Sequence, residues 1–424
     1  TLMNRDLLTA TIRRDGSSRF SSDNRWGIFP SLALAWSITN EPFMKNQQLF
    51  STLKLRLSYG RTGQQDVGDY YAYIPSYIFS TNPNSTYLGS GLLKPEGYNP
   101  NLKWESTDTY NLGFDFGFLN NRINGTIDVY KKKTKDLLVR SDVAAGTNSS
   151  NRMYMNIGNM ENHGVEFNIN ANVLHINDFS WNAGFNATWN KSEITKLTAA
   201  NNPDYDGIET SGISAGTGGN IGRHRVGYAP YSFYTFQQVY DTDGKPIQNA
   251  FVDRNGDGEI TDADKYMKHS PMPDWYLGFS SQFRYKKWDL GFNLRANIGN
   301  YVFNDVLGGN STVANAYGGQ GALSNLYQDV VKTGFTQAND KNQNFSDYFL
   351  ENASFLKMDN LTLGYSFENL FKTKIAGRIS FSMQNVFAIT DYSGLDPEVP
   401  GSGGVDNNIW PRPKTYTLGL NINF

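Results

Sequence analysis

The sequence has 424 residues, with 38 lysine and arginine against 40 aspartate and glutamate residues and a formal net charge of −2 at pH 7. This length suits one large barrel or about two to three ordinary domains, and a charge near zero argues against a nucleic-acid partner. The chain contains no cysteine, which excludes disulfides, thiolate metal sites and cysteine nucleophiles.

Apolar and polar residues alternate along many segments, and a period of two is that of a β-strand. In chain order the alternating segments lie at residues 8–12, 28–38, 53–59, 110–118, 165–173, 181–189, 277–283, 288–298, 361–367, 379–383 and 416–424. Weaker candidates lie near residues 122–130 and 231–240. The pattern predicts an all-β chain of about a dozen strands, and no amphipathic helix of comparable quality competes with it.

Two settings produce such alternation: a soluble β-sandwich, or a transmembrane barrel whose apolar face meets lipid and whose polar face lines a wet lumen. Charged residues such as Arg56, Asp115 and Arg295 lie mid-strand opposite the apolar face. The strands approach the ~9–11 residues that cross a tilted bilayer, and Trp181 and Trp189 bracket one strand as interfacial aromatics do. These features favour a transmembrane antiparallel β-barrel.

The connections alternate in length. Tight turns are predicted within residues 118–124 and 283–290, whereas long insertions rich in Gly, Asn, Ser and Tyr occupy roughly residues 61–103, 141–152, 196–230, 241–273, 299–346 and 391–413. In bacterial barrels the short turns face the periplasm and the long loops face the outside. We therefore expect long extracellular loops, and we expect them to carry ligand recognition.

Several segments share a family likeness. They include "LKLRLSYGRTGQQDVGDY" (53–70), "NIGNMENHGVEFNIN" (156–170), "NASFLKMDNLTLGYSF" (352–367) and "WPRPKTYTLGLNINF" (410–424), and the longer segments 5–41, 102–138 and 253–280. Together, in one order from end to end, they resemble the SusC/RagA family of TonB-dependent outer-membrane transporters of Bacteroidetes-type bacteria.

The resemblance implies a 22-stranded barrel that is stoppered by an N-terminal plug, capped by a SusD-like lipoprotein and powered by TonB. It implies import of glycans or oligopeptides across the bacterial outer membrane, with neither substrate class preferred and no substrate-binding residue assigned. The partners would be the lipoprotein, TonB through the N-terminal part, the rest of the barrel with its plug, outer-membrane lipid and the substrate.

Residues 1–424 would then form the C-terminal portion of the barrel, with the plug and the N-terminal strands outside this chain. No charged region followed by an apolar run is visible in "TLMNRDLLTATIRRDGSS" (1–18), so we expect the export signal elsewhere. Because a bilayer does not tolerate two open strand edges, we expect a further part or a separate chain to complete the barrel. The closing strand resembles the C-terminal signal of such barrels and would pair with the first strand.

The motif "DRNGDGEITDAD" (253–264) fits the pattern of a calcium-binding loop. Side-chain oxygens would come from Asp253, Asn255 and Asp257, the carbonyl oxygen from Glu259, and the closing carboxylate from Asp264. Calcium would rigidify an outside loop without a catalytic role, and Mg²⁺ is the less favoured ion. The alternative is an acidic, solvated turn without an ion.

The chain shows no arrangement typical of an enzyme. The histidines at 163, 175, 224 and 269 are scattered, and no Ser/His/Asp or paired-carboxylate spacing stands out. We therefore predict a transporter and not an enzyme. The alternatives are a passive porin or outer-membrane adhesin without plug gating, a barrel hydrolase, and a soluble carbohydrate-binding β-protein.

Overall fold

A computed structural model describes residues 5–66, 68–79, 93–144, 146–197, 205–216, 218–317, 325–338, 342–368, 375–399, 401 and 403–423. Among these residues, no helix has the length and apolar character needed to cross a membrane.

The chain is built mainly from strands. The strands of the first half are β1 (Asp6–Gly16), β2 (Trp26–Ser37), β3 (Phe50–Gln64), β4 (Tyr77–Phe79), β5 (Leu93–Pro95), β6 (Glu105–Phe118), β7 (Ile123–Asp142), β8 (Arg152–Ile176), β9 (Phe179–Lys196), β10 (Ile208–Ile213) and β11 (Gly219–His224). Those of the second half are β12 (Ser232–Thr235), β13 (Gln238–Tyr240), β14 (Pro246–Phe251), β15 (Tyr266–Lys268), β16 (Trp275–Tyr285), β17 (Trp288–Ile298), β18 (Tyr301–Asn304), β19 (Leu350–Asn352), β20 (Phe355–Phe367), β21 (Ala376–Thr390), β22 (Val405–Asp406) and β23 (Thr415–Asn423).

The helices are short and lie in the connections. The α-helices are α1 (Asp305–Asn310) and α2 (Asp329–Thr333), and the 3₁₀ helices are Ile38–Asn40, Pro42–Met44, Asp262–Asp264, Val313–Tyr317, Gln343–Phe345 and Asp347–Phe349.

Twelve strands form one antiparallel sheet, which we call the wall sheet. Their order is β1-β2-β3-β6-β7-β8-β9-β16-β17-β20-β21-β23, so each pairs with the next wall strand along the chain. The sequence predicted this sheet, and the weak candidate near 122–130 belongs to β7. The other weak candidate, near 231–240, forms β12 and β13 in two small sheets outside the wall. Residue 424 of the predicted last strand lies outside the described residues.

Tight turns join β6 to β7 and β16 to β17 at the ends of these strands. Leu119, Asn120 and Asn121 between β6 and β7 have φ values of 53°, 57° and 58°, and Lys286 between β16 and β17 has φ 53°. Positive φ matches the right-handed twist of the flanking strands. The two predicted tight turns are therefore confirmed.

The apolar residues of the wall strands lie opposite one another across the sheet. Between β20 and β21 the apolar pairs are Leu361↔Met383, Leu363↔Phe381 and Tyr365↔Ile379. Between β21 and β23 they continue as Ile379↔Leu420, Phe381↔Leu418 and Met383↔Tyr416. This apolar face is exposed, with Leu418 at 78% of its full accessibility, as an outward, lipid-facing surface requires.

Two buried cores lie mainly in the connections between wall strands. The chain divides into two compact units, one of Thr1–Asn121, Thr126–Val165 and Lys191–Ile208, the other of Arg122–Gly125, Glu166–Asn190 and Glu209–Phe424. The first unit has a small core of Phe20, Ala72 and Leu102. The larger core, in the second unit, consists of Ile213, Ile221, Phe233, Phe236, Phe251, Phe303, Phe335, Phe345 and Phe349.

Replacement of Leu418 by arginine tests which face meets lipid. In a bilayer, Leu418→Arg should lower the free energy of unfolding by about 2–4 kcal/mol, because an arginine near the midplane loses its hydration. Thr417→Arg is the matched control, since its side chain points to the polar face, and it should change stability little. The measurement is urea unfolding of the assembled protein in lipid vesicles. Equal losses in both variants would contradict the assignment of the faces.

Candidate functional site

The polar face of the wall sheet carries ion pairs that span more than one strand. Arg56 of β3 donates from Nε to Asp115 of the adjacent β6 (2.8 Å) and from Nη2 to Asp128 of β7, one strand further (2.9 Å). Gly113 lies between them, and a Cβ there would be 2.6 Å from Arg56 Nη2 and 2.5 Å from Asp128 Oδ1. Because Gly113 has no side chain, there is room above it for the ion pair between Arg56 and Asp128, which passes over β6.

The same arrangement recurs at the other end of the chain. Arg378 of β21 reaches across β20 to Asp289 of β17, with Nε and Nη2 donating at 3.0 and 2.6 Å. A Cβ on Gly364 of β20 would be 2.3 Å from Arg378 Nη2 and 2.4 Å from Asp289 Oδ1. Two glycines thus serve the same role, which is to let an arginine cross the strand beside it.

A larger group of charges, which we call the ion-pair cluster, joins the wall to an insertion. It consists of Arg295, Lys357, Asp359, Asp396, Glu398 and Arg412. Asp359 is the extra residue of a β-bulge in β20 against β17, because Asn293 pairs with Asn360 and Leu294 with Met358. The register with β21 also shifts there. The Asp359 carboxylate accepts from Arg295 Nε and Nη2 at 3.0 and 3.1 Å.

The acids of the insertion after β21 complete the ion-pair cluster. Lys357 Nζ donates to Asp396 (2.6 Å) and Glu398 (2.8 Å). Arg295 also donates to both carboxylate oxygens of Glu398, and Arg412 donates to Glu398 at 2.7 Å. Lys357 is 3% exposed. A buried ammonium is tolerated only when it is paired, so these contacts fix residues 391–399 on the polar face.

The ionisation of Glu398 follows from this setting. Burial would raise the pKa of Glu398, but hydrogen bonds from Arg295 and Lys357 outweigh burial and hold its pKa at about 2. A carboxylate with a lowered pKa in the folded state stabilises that state above its ordinary pKa of 4.5. This contribution is lost only as the pH falls toward 2.

An uncharged cavity of about 550 Å³ lies on the polar face of the second unit. It is lined by amide, hydroxyl, small and phenylalanine side chains, among them Asn170, Asn172, Asn182, Gln282, Asn293 and Asn360. Each amide offers both a donor and an acceptor. The cavity is therefore suited to neutral groups that form hydrogen bonds, such as sugar hydroxyls or peptide groups.

The predicted calcium loop lies between β14 and β15. Asp253 accepts from Gly256 N (2.6 Å) and Gly258 N (2.9 Å), and Asn255 Nδ2 donates to Asp257 at 2.7 Å. Gly256 and Gly258 have φ values of 75° and 87°, which only glycine adopts without strain. Local hydrogen bonds and these two glycines therefore stabilise the turn within the loop.

Asp264 anchors the other end of this loop. It is fully buried and accepts from Thr261 N (2.8 Å), Arg254 N (2.8 Å) and Asn255 N (3.3 Å). Hydrogen bonds from these backbone groups, with that of Thr261 the strongest, lower the pKa of Asp264. The carboxylate thus stays ionised and acts as an acceptor in the loop.

The donor set of this loop suits calcium, because its side chains offer oxygen ligands. Asn255, Asp257 and Glu259 are exposed. Among the described residues, however, the structure brings together no group of three His, Cys, Asp or Glu side chains that could hold a metal ion. The calcium site at Asp253, Asn255, Asp257, Glu259 and Asp264 therefore stays a prediction.

An antiparallel sheet with an exposed apolar face, a polar face crossed by ion pairs, and long insertions between alternate strands defines the wall of a bacterial outer-membrane β-barrel. Residues 1–386 match the family described as TonB dependent receptor-like, beta-barrel, and the chain belongs to this family. Together with the relatives and the solved structure described next, this match confirms the SusC/RagA resemblance, the barrel fold, the outer-membrane location and the prediction that the chain is not an enzyme.

Named relatives extend over the whole chain. The TonB-dependent receptor SusC of Bacteroides thetaiotaomicron is 48% identical over 434 aligned residues, which cover 100% of this chain and 43% of SusC. The TonB-dependent receptor P3 of Formosa agariphila is 31% identical, with 99% of this chain and 44% of P3 covered. The chain thus spans less than half the length of these curated relatives.

A solved structure supports the same fold. The RagAB peptide transporter aligns with a TM-score of 0.79 and 25% identity, covering 99% of this chain and 46% of that one.

The sequence predicted some of the charged residues on this polar face. It placed Arg56, Asp115 and Arg295 opposite the apolar residues, and the structure joins Arg56 to Asp115. It did not find Lys357 as a buried cation or Glu398 as its partner. The available signal was the pair of acids in "LDPEVP" (395–400), an insertion whose position on the wall no local pattern reveals.

Loss of the Lys357 ammonium should release the insertion after β21. Lys357→Met removes the buried ammonium that Asp396 and Glu398 share and leaves them only the more exposed Arg295 and Arg412, which costs about 3–5 kcal/mol. Protease cleavage within residues 391–399 of the assembled protein should accelerate by at least about 100-fold.

Arg412→Met is the matched control, because Arg412 contacts the same two acids but is half exposed. It should accelerate cleavage by less than about fivefold. Equal acceleration in both variants would show that burial of Lys357 does not hold the insertion.

Calcium should protect the loop between β14 and β15. We expect Ca²⁺ to slow proteolysis within residues 253–264 and EGTA to reverse the effect, because an ion would join side chains that are now exposed. Asp253→Asn/Asp257→Asn should abolish the protection, and Asp243→Asn, in the preceding turn, is the control. Identical cleavage rates with Ca²⁺ and with EGTA would show that the loop is an acidic, solvated turn that binds no calcium.

Proposed function

We propose that the chain forms part of the wall of a TonB-dependent, plug-gated transporter that imports glycans or oligopeptides across the outer membrane. The rest of the barrel, the plug and the segment that contacts TonB would lie outside the chain. A SusD-like surface lipoprotein would be the partner. The identity with SusC and the similarity to the RagAB peptide transporter support this proposal.

The observation that carries the proposal is the uncharged cavity on the polar face. In a barrel this face lines the lumen. Amide groups exchange hydrogen bonds with passing hydroxyl or peptide groups at a net value of only about 1 kcal/mol each. Several such groups therefore guide a neutral polymer without retaining it. A ring of charges would instead select for ions.

The insertion held by the ion-pair cluster supports gated transport over a passive pore. Residues 391–399 are fixed to the polar face through Lys357 and Arg295. This segment would narrow the lumen, as a gated pathway requires and a wide diffusion pore does not.

Uptake by cells that carry the assembled protein tests the proposal. Labelled glycan and oligopeptide mixtures should enter only when TonB is present and the membrane is energised. Replacing Asn182 and Asn293 by leucine should lower uptake about 5- to 25-fold, because each loses a hydrogen-bonding group.

Phe279→Leu, on the apolar face, is the control and should transport normally. Uptake without TonB would support the passive porin, and cell attachment without uptake would support the adhesin. Transport of one mixture alone would decide between glycans and oligopeptides.

A further inference from the structure

An apolar groove of about 740 Å³ lies on the exposed face of the first unit. Its walls are leucine and valine side chains of β2, β3, β6 and β7, namely Leu32, Leu34, Leu57, Leu112 and Val129. Its remaining lining includes Tyr59, Tyr110, Lys131 and His163. A lysine at such a groove lies outside the apolar band with which a barrel meets lipid hydrocarbon.

The lysine at the groove belongs to a cluster with excess positive charge. Lys131 and Lys133 both contact one carboxylate, that of Glu161, at 2.6 and 3.6 Å, and both ammonium side chains are nearly half exposed. One carboxylate cannot neutralise two ammonium groups.

A second carboxylate nearby is also outnumbered by cations. Arg61 donates to both oxygens of Asp108 at 2.7 and 2.9 Å, and Lys135 acts electrostatically on the same acid. Around Glu161 and Asp108, four cations therefore face two carboxylates.

The order of side chains along the strands locates these charges at the membrane surface. On β3 and β6, Leu57 pairs with Leu112, then Tyr59 with Tyr110, then Arg61 with Asp108. Tyrosines mark the interface between hydrocarbon and headgroups. The charges follow them at the end of β3 that leads into the long insertion after residue 64, and long insertions face the outside.

We propose that this groove and cluster bind a lipid with an anionic phosphate headgroup from the outer leaflet of the membrane. An acyl chain lies against Leu57, Leu112 and Val129, and the phosphate accepts hydrogen bonds from Lys131 and Lys133. The inference rests on the outer-membrane location and not on the proposed transport.

Charge favours a lipid over a second copy of the chain. A twofold contact through this surface would bring the lysines of one copy close to those of the other, and like charges disfavour such pairing. A phosphate instead complements the excess positive charge, and it can displace Glu161 from one lysine without leaving any group unpaired.

Three variants of the assembled, detergent-solubilised protein test the site. With phosphatidylglycerol as the titrant, Lys131→Gln/Lys133→Gln should weaken binding about 10- to 30-fold. Lys132→Gln is the matched control and should bind normally. Lys132 alternates with Lys131 and Lys133 along β7 and therefore lies on the opposite face, where its ammonium contacts the ring of Tyr130. Glu161→Gln removes the competing carboxylate and should strengthen binding about fivefold, a gain that misfolding cannot produce.

Phosphatidylcholine should bind the wild type weakly and equally in all variants, because it carries no net charge. The proposal is overturned if Lys132→Gln weakens binding as much as the double variant, or if no substitution changes it. Complete displacement by inorganic phosphate would show a bare anion site without a role for the groove. Loss of a dimer in the double variant, with lipid affinity unchanged, would assign the surface to a second copy.

Discussion

The wall sheet must be stable although its apolar face is turned outward. A soluble sheet gains stability by burying that face, but the residues here that would form such a core, such as Leu418, are among the most exposed of the chain. What holds the strands is the hydrogen-bonded ladder between neighbours, because hydrocarbon offers the backbone no other partner. Ion pairs on the polar face, such as that between Arg56 and Asp115, add to this.

The insertions bury their apolar residues, unlike the wall sheet, and in this they resemble small soluble domains. Nine buried apolar residues, most of them phenylalanine, form the core of the second unit, and short strands pair around them in sheets of two to four strands. The ion-pair cluster then attaches one insertion to the wall. One chain thus combines a wall that depends on lipid with insertions that depend on burial.

The sequence predicted the wall sheet well because one physical rule governs each of its strands. Alternation survives in β20 despite the bulge at Asp359 against β17. The tight turns follow from short polar links between strands. The insertions were harder to predict. Residues 231–240 alternate like a wall strand, yet Phe233 and Phe236 are fully buried in the core of the second unit, and only tertiary context decides between the two settings.

The candidate site was predictable only in part for the same reason. Arg56 and Asp115 are diagonal neighbours on adjacent strands, since Asp115 lies opposite Lys54 and Arg56 opposite Gly113, so their contact follows from the register. Lys357 and Glu398 meet because an insertion folds back by 41 positions along the chain, a distance over which no local periodicity extends. The predicted calcium loop has the right oxygen donors in the right order, but side-chain positions in a solvated loop depend on whether an ion is present.

The glycines beneath the crossing arginines have a consequence for how the lumen can change in evolution. At Gly113 and Gly364 any larger residue would push a guanidinium away from a carboxylate, namely Arg56 from Asp128 and Arg378 from Asp289. A mutation at such a glycine therefore alters two charged groups at once, whereas a mutation at an amide of the cavity alters one neutral group. The polar face can therefore change gradually at its amides, whereas the two glycines are constrained by the ion pairs that pass over them.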